Sequence, residues 1–197
     1  MTGGWDVSRE THENLQVFLR LLGAWNARIN LVAPGPESDW WDRHVVDSLQ
    51  LIPLLPPGDE PMADLGAGGG FPGLILAIAT GRPIHLVEAD QRKCAFLREV
   101  AARLCLKHVQ VHAKRIADVE LPPLSAVTAR ALSPLAELLG YAHRLLAKSG
   151  VAIFPKGRKA DEELTSARQS WHMKIERFSS VTATDSVIFR FRDISPV

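Results

Sequence analysis

The chain is 197 residues long, a length that suits one domain with a small appendage. Hydrophobic residues make up 46% and charged residues 23%, enough apolar material for a real core, which excludes a largely disordered chain. Net charge is only +1 and the pI 7.9, which excludes a uniformly basic nucleic-acid binder. Charge is nonetheless uneven: residues 1–63 carry four Lys/Arg against nine Asp/Glu, 64–120 eight against six, and 121–197 eleven against seven.

In chain order, Ser8 is the expected N-cap of a first helix. Leu15, Phe18, Leu19, Leu22, Trp25 and Ile29 then recur at three- and four-residue spacing, and Pro34-Gly35-Pro36 breaks the pattern. A second helix is predicted over 40–51, with Val45, Val46, Leu49 and Ile52 inward, ended by Pro53, Pro56, Pro57 and Gly58. Strands follow at 62–65, 84–88, 109–112, 125–129 and 151–154. The helices between them are predicted at 73–80, 91–106, 134–148 (closed by Gly150) and 157–170. Strands over 174–181 and 186–193 have no helix between them and should pair antiparallel. Strands alternating with helices predict an α/β fold, a doubly wound and mostly parallel sheet. The amino-terminal helices, 1–58, form a cap on a domain of 59–197, the two making one compact unit. The longest apolar run, 74–79, is too short to span a bilayer. MTGGWDVSRE has no basic region followed by an apolar stretch, so no leader is expected and a cytoplasmic protein fits. Cys94 and Cys105 form no CxxC pair and read as two reduced helix residues.

The strongest local signal is Asp64-Leu65-Gly66-Ala67-Gly68-Gly69-Gly70-Phe71-Pro72-Gly73, between a strand and a helix. Glycines there let a ligand approach the backbone. A dinucleotide fingerprint needs glycine six positions along from Gly66, where Phe71 stands. A GxGxG turn suits the amino-acid end of S-adenosylmethionine better than a pyrophosphate. Glu88, 22 residues after Gly66 at a strand end, can accept from both ribose hydroxyls, while Asp90 reads as the N-cap of the next helix. Arg130 follows strand four without the Asn/Asp-Pro-Pro-aromatic motif of amino methyltransferases and without a nucleophilic cysteine. It could grip a phosphate or base, or make a surface ion pair. His44, Asp47 and Ser48 of Arg43-His44-Val45-Val46-Asp47-Ser48-Leu49 share a helix face, and spacing alone favours local hydrogen bonding. Lys156-Gly157-Arg158-Lys159 lies at the carboxyl edge of the sheet, with Arg92, Lys93, Lys114 and Arg115 able to extend a basic rim or merely to be solvated. Trp40 and Trp41 are expected in the core rather than stacked on bases.

Asn30-Leu31, the Arg43–Leu49 stretch, the Asp64–Gly73 loop, Lys114-Arg115-Ile116, Ala129-Arg130-Ala131 and Lys156-Gly157 occur in an order that covers most of the chain. In this combination the chain resembles the RsmG (GidB) family of bacterial 16S rRNA guanine-N7 methyltransferases. The resemblance implies a class I S-adenosylmethionine-dependent fold, Rossmann-like, with seven mostly parallel strands, an antiparallel carboxyl-terminal strand and the helical cap. It implies methylation at N7 of guanine 527 in the 530 loop. The partner would be 16S rRNA, the small ribosomal subunit or an assembly intermediate, with no membrane, no metal and no need for more than a monomer. Gly66 and Phe71 would line the methionine and ribose, helped by Asp64, Gly68 and Glu88. Ile116 and Ala117 would flank the adenine through backbone, and Arg130 would sit between cofactor and target. The family often has Glu at Ala117 and Asp at Glu88. Guanine N7 carries a lone pair and no proton, so no general base is needed and catalysis is positioning. Arg130, His44 and Lys156 would hold a flipped base and its phosphates, with Arg43, Asp47 and Ser48 on the substrate side. An NAD-dependent oxidoreductase and a non-enzymatic rRNA-binding assembly factor are the alternatives.

Overall fold

The computed structural model describes residues 7–130 and 132–197. Residues 1–6, on which the expectation of no leader partly rests, and Ala131 lie outside the described residues.

Helix α1 (Arg9–Asn26) starts as expected, the Ser8 hydroxyl accepting from the Thr11 amide, and buries Leu15, Phe18 and Leu22. It stops before Ile29 because the Asn26 side chain turns the chain, its Oδ1 accepting from the Leu31 and Val32 amides at 2.9 and 3.1 Å. The predicted second helix is differently wound. A 3-10 turn (Glu37–Asp39) leads into a π-helical stretch (Trp41–Val46), then a single α turn, α2 (Asp47–Leu49), and another 3-10 turn (Ile52–Leu54). Val45 and Leu49 are buried, but Val46 and Ile52 only half so. π-Helical turns cluster at functional sites, and this one carries His44.

The sheet runs β3-β2-β1-β4-β5-β7-β6. Its strands are β1 (Met62–Leu65), β2 (Ile84–Glu88), β3 (Val109–Ala113), β4 (Leu124–Ala129), β5 (Leu146–Lys156), β6 (Trp171–Ser179) and β7 (Val187–Pro196). β1 to β5 are parallel. β7 inserts antiparallel between β5 and β6, so it is the one antiparallel strand of an otherwise parallel sheet. The remaining helices are α3 (Gly73–Thr80), α4 (Gln91–Arg103), α5 (Leu135–Leu145) and α6 (Ala160–Ala167).

Boundaries differ from the sequence reading in strands and helices alike: β5 is Leu146–Lys156 rather than 151–154, β6 Trp171–Ser179 rather than 174–181, and β7 Val187–Pro196 rather than 186–193. α4 ends at Arg103, because Cys105 adopts φ 54 and leaves the helix; Cys105 is exposed while Cys94 is buried. α5 ends at Leu145, and Gly150 belongs to β5 rather than closing a helix. A Cβ there would lie 2.7 Å from the Leu124 carbonyl oxygen, where the β4–β5 register shifts. The helix predicted over 157–170 contracts to α6.

One face of the sheet is covered by α3, α4 and the amino-terminal layer. There Leu15, Phe18, Val45 and Leu49 share a continuous core with Met62, Leu74 and Phe96. The other face carries α5 and α6 over Leu65, Val127 and Phe154. At the amino end of the sheet the buried Arg82 guanidinium donates to the Pro56 carbonyl at 2.8 Å and fastens the proline-rich connection.

Candidate active site

The turn after β1 is built from backbone that side chains disfavour. Gly66, Gly68 and Gly70 have φ of 68, 52 and 89. The Gly66 and Ala67 amides both donate to the Val87 carbonyl, so the turn hangs from the end of β2. Gly73 is required by close approach: a Cβ would fall 2.4 Å from a Leu86 methyl and 2.7 Å from the Asp64 Cβ. Asp64 lies fully buried beneath the turn. Its Oδ2 accepts from the Gly73 amide at 3.0 Å and its Oδ1 from the Thr128 hydroxyl at 2.9 Å. Burial pushes the carboxyl up to about 7, against the pull of those two bonds. Asp64 therefore braces the turn from below.

Glu88 ends β2 facing the turn. Its Oε2 accepts from the Gly68 amide at 2.9 Å and its Oε1 from the Asp90 amide at 2.8 Å. Asp90 caps α4 as expected, accepting from the Arg92 and Lys93 amides. After β3, a 3-10 turn (Ile116–Asp118) places Ile116 half-buried and Ala117 exposed; the Arg144 guanidinium donates to the Ile116 and Val119 carbonyls.

Phe71 is 4% exposed and joins the turn to the amino-terminal layer. Its ring meets Phe18 edge-on at 5.2 Å and His44 at 4.8 Å, and the Arg130 guanidinium lies over it at 5.0 Å. Arg130 Nη1 donates to Asp47 Oδ2 at 3.1 Å and to the Arg43 carbonyl at 3.4 Å, and lies 3.2 Å from His44 Nδ1. Burial, then the positive charges of Arg130 and Arg43, push His44 down to about 4. The ring is neutral at pH 7, which leaves Nδ1 able to accept from the guanidinium. Asp47 Oδ1 accepts from the Thr182 hydroxyl and from Gln50 Nε2, each at 2.8 Å.

The Arg43–Leu49 stretch thus does more than the local bonding that spacing suggested: His44 and Asp47 engage the arginine that follows β4. Ser48 does stay local, its buried hydroxyl donating to the His44 carbonyl at 2.6 Å. Arg43 contributes its carbonyl and leaves its side chain exposed.

Beside this cluster opens a cleft of about 630 Å³, lined among others by Asp47, Arg130, Leu132, Lys156, Glu163 and Ser186. Leu132 joins it to the glycine turn, one methyl lying 2.6 Å from where a Gly66 Cβ would stand. Lys156 is bound inward rather than free for phosphate. Its Nζ donates to the Ser133 carbonyl at 2.9 Å and pairs with Glu163 Oε2 at 2.8 Å, and its side chain is 9% exposed. Glu163 Oε2 also accepts from the Leu135 amide at the start of α5. Sequence reading missed Glu163, since in an acidic helix of exposed appearance nothing marks one carboxylate as the one aimed into a cleft. It missed Gln50 and Thr182 as well.

Trp40 is buried, and Trp41 packs half-buried with its ring 4.9 Å from that of His12. Arg92, with Arg28 and Lys93, lines a hollow at the start of α4; Arg158 pairs with Asp185. Lys114, Arg115 and Lys159 are exposed. Among the described residues no three His, Cys, Asp or Glu side chains are grouped to hold a metal, and no helix is long and apolar enough to cross a membrane.

Residues 11–188 match the model of the GidB family, described as rRNA small subunit methyltransferase G. The chain is 52% identical over 197 residues to the ribosomal RNA small subunit methyltransferase G of Granulibacter bethesdensis, covering 100% of this chain and 92% of that one. It is 52% identical over 191 residues to the enzyme of the same name from Gluconobacter oxydans, covering 97% and 98%. In fold it is similar to the glycopeptide N-methyltransferase MtfA solved with sinefungin, with a TM-score of 0.64 at 11% identity over 76% of this chain and 93% of that one.

Proposed function

The chain belongs to the GidB family of small-subunit rRNA methyltransferases, and from that premise we propose that it moves a methyl group from S-adenosylmethionine to N7 of guanine 527 in 16S rRNA. The observation that carries the finer part of this reading is the Arg130 cluster, which stands between the glycine turn and the cleft and whose imidazole Nδ1 and carboxylate Oδ2 are both engaged by the guanidinium rather than free to take a proton.

The glycine turn fits the cofactor. Gly68 is half-exposed, and among the described residues, its chain neighbours aside, the one atom within 4 Å of where its Cβ would stand is the Gly66 carbonyl oxygen, 3.6 Å away, so a ligand can lie against the backbone. Glu88 presents a carboxylate held by two amides where a ribose diol would lie, and Ile116 and Ala117 offer backbone for the adenine. When bound, the cofactor supplies an electrophilic methyl on a sulfonium. The protein's share is orientation. Neutral His44 and the Asp47 carboxylate fix the Arg130 guanidinium over Phe71, and its remaining N–H groups are available to O6 or a phosphate of the target. The N7 lone pair attacks without a base.

Against a nicotinamide cofactor, Phe71 occupies the third glycine position and its ring is locked between Phe18 and Arg130. The reading puts the reaction in the cytoplasm, on 16S rRNA, the small subunit or an assembly intermediate, carried out by a monomer.

The test is a methylation assay with tritiated S-adenosylmethionine on small subunits whose 16S rRNA lacks the mark, followed by mapping of the nucleotide. N7-methylguanine at position 527 is expected, and R130A should slow single-turnover transfer by about 100-fold with its fold intact. A methyl on another atom overturns the guanine-N7 assignment, and no methyl at all overturns the reading in favour of a binding-only assembly factor. Full single-turnover rate in R130A overturns the role of Arg130.

A further inference from the structure

We propose that Glu163 selects guanine in the cleft by accepting hydrogen bonds from N1–H and the N2 amino group of the target base. The proposal rests on the guanine-N7 reading above.

The cleft is lined by two carboxylates, Asp47 and Glu163. Asp47 already has both oxygens engaged by side chains: Oδ1 accepts from Thr182 and Gln50, and Oδ2 from Arg130. Glu163 is not. Its Oε2 accepts from Lys156 Nζ and the Leu135 amide, and among the described residues its Oε1 has no hydrogen-bond partner. An ionised carboxylate offers about four acceptor sites, so about two remain. The side chain is 28% exposed, open to the cleft yet fixed in place by the nearly buried Lys156. A carboxylate held this way is preorganised and loses little side-chain freedom on binding.

Base chemistry then selects. Guanine is the one RNA base with two adjacent donors on its Watson–Crick edge. Adenine presents an acceptor at N1, cytosine an acceptor at N3, and uracil a single donor between two acceptors. A carboxylate meets the guanine pair in full and opposes an acceptor from each of the others. N7 lies on a different edge of guanine, so holding N1 and N2 leaves it free to face the methyl. Leu132 and Arg130, which line the cleft, adjoin the glycine turn and the ring of Phe71, while Glu163 is anchored through Lys156 at the carboxyl end of β5, two strands across the sheet from β1. A base with N7 turned inward can therefore present its other edge to Glu163.

The experiment uses the intact protein and small subunits carrying guanine or inosine at the target nucleotide. Inosine keeps N7, O6 and N1–H and lacks only the N2 amino group. Wild type should prefer guanine by roughly 5- to 150-fold in kcat/KM, the range set by one good base contact. E163Q keeps an oxygen for Lys156 and Leu135 but turns an amino group toward the base donors. Its guanine rate should fall toward its inosine rate, bringing the ratio close to one. A purely structural role would slow both substrates alike and leave the ratio at the wild-type value, which overturns the proposal. Should E163Q fail to fold, the wild-type ratio decides alone, a value near one overturning the role of Glu163. Methyl transfer to a base other than guanine removes the underlying reading instead, and mapping the product separates the two failures.

Discussion

Two buried titratable residues pull the stability of this protein in opposite directions with pH. Asp64 sits near 7 in the folded chain against an ordinary carboxyl near 3.8. The folded state holds its proton more tightly, so its contribution is full below about pH 4 and is lost as pH rises toward 7. His44 sits near 4 against an ordinary 6.5. There the unfolded chain binds the proton more tightly, so stability is full above about 6.5 and is lost as pH falls toward 4. The two slopes overlap and partly cancel, so the wild-type profile does not separate them, but a difference does. D64N cannot ionise and keeps the His44 slope. Its stability relative to wild type should rise between pH 4 and 7 and flatten above, as read from denaturant midpoints at a series of pH values. A difference that stays constant across that window would show that Asp64 is already ionised at pH 4. The glycine turn above this carboxyl was plain in the sequence, because glycine spacing is a backbone property. That Asp64 lies below the turn depended on Thr128, 64 residues away.

At the scale of elements, the helical stretch 41–49 is stitched to the turn between β6 and β7. Gln50 is 5% exposed. Its Oε1 accepts from the Val181 amide at 2.9 Å, and its Nε2 donates to Asp47 beside the Thr182 hydroxyl. Arg130 is therefore fixed by partners from both ends of the chain. Val181 is 66% exposed, so water can replace the lost acceptor, and Q50A should cost only about 1 kcal/mol. The local effect is larger. The Val181 amide should exchange its hydrogen markedly faster in Q50A, measured by mass spectrometry or NMR, and unchanged protection there would disprove the stitch. Neither end of this link was legible in sequence. A polar helix face looks the same whether its partner is solvent or a turn 130 residues away.

For the molecule as a whole, the amino-terminal layer packs into the same core as α3 and α4, with Phe18 fully buried against Phe71 and Phe96. We infer that 1–58 and 59–197 unfold together. F18A should then remove about 3–5 kcal/mol from a single cooperative thermal transition, seen by calorimetry and circular dichroism alike. Two transitions, of which only one moves, would mark the cap as an independent unit. Because Phe18 touches the ring that carries Arg130, such a variant should also lose methyl transfer before it loses its fold.

The sequence by itself determined the alternation of strands and helices, the glycine turn, the caps at Ser8 and Asp90 and the family. These depend on local periodicity, backbone freedom and short spacing, which a chain displays without being folded. Tertiary structure alone decided which polar side chains meet. Arg130 with Asp47, Lys156 with Glu163 and Asp64 with Thr128 are pairings in three dimensions, set by strand order and by burial that strips water from one partner until it takes the other.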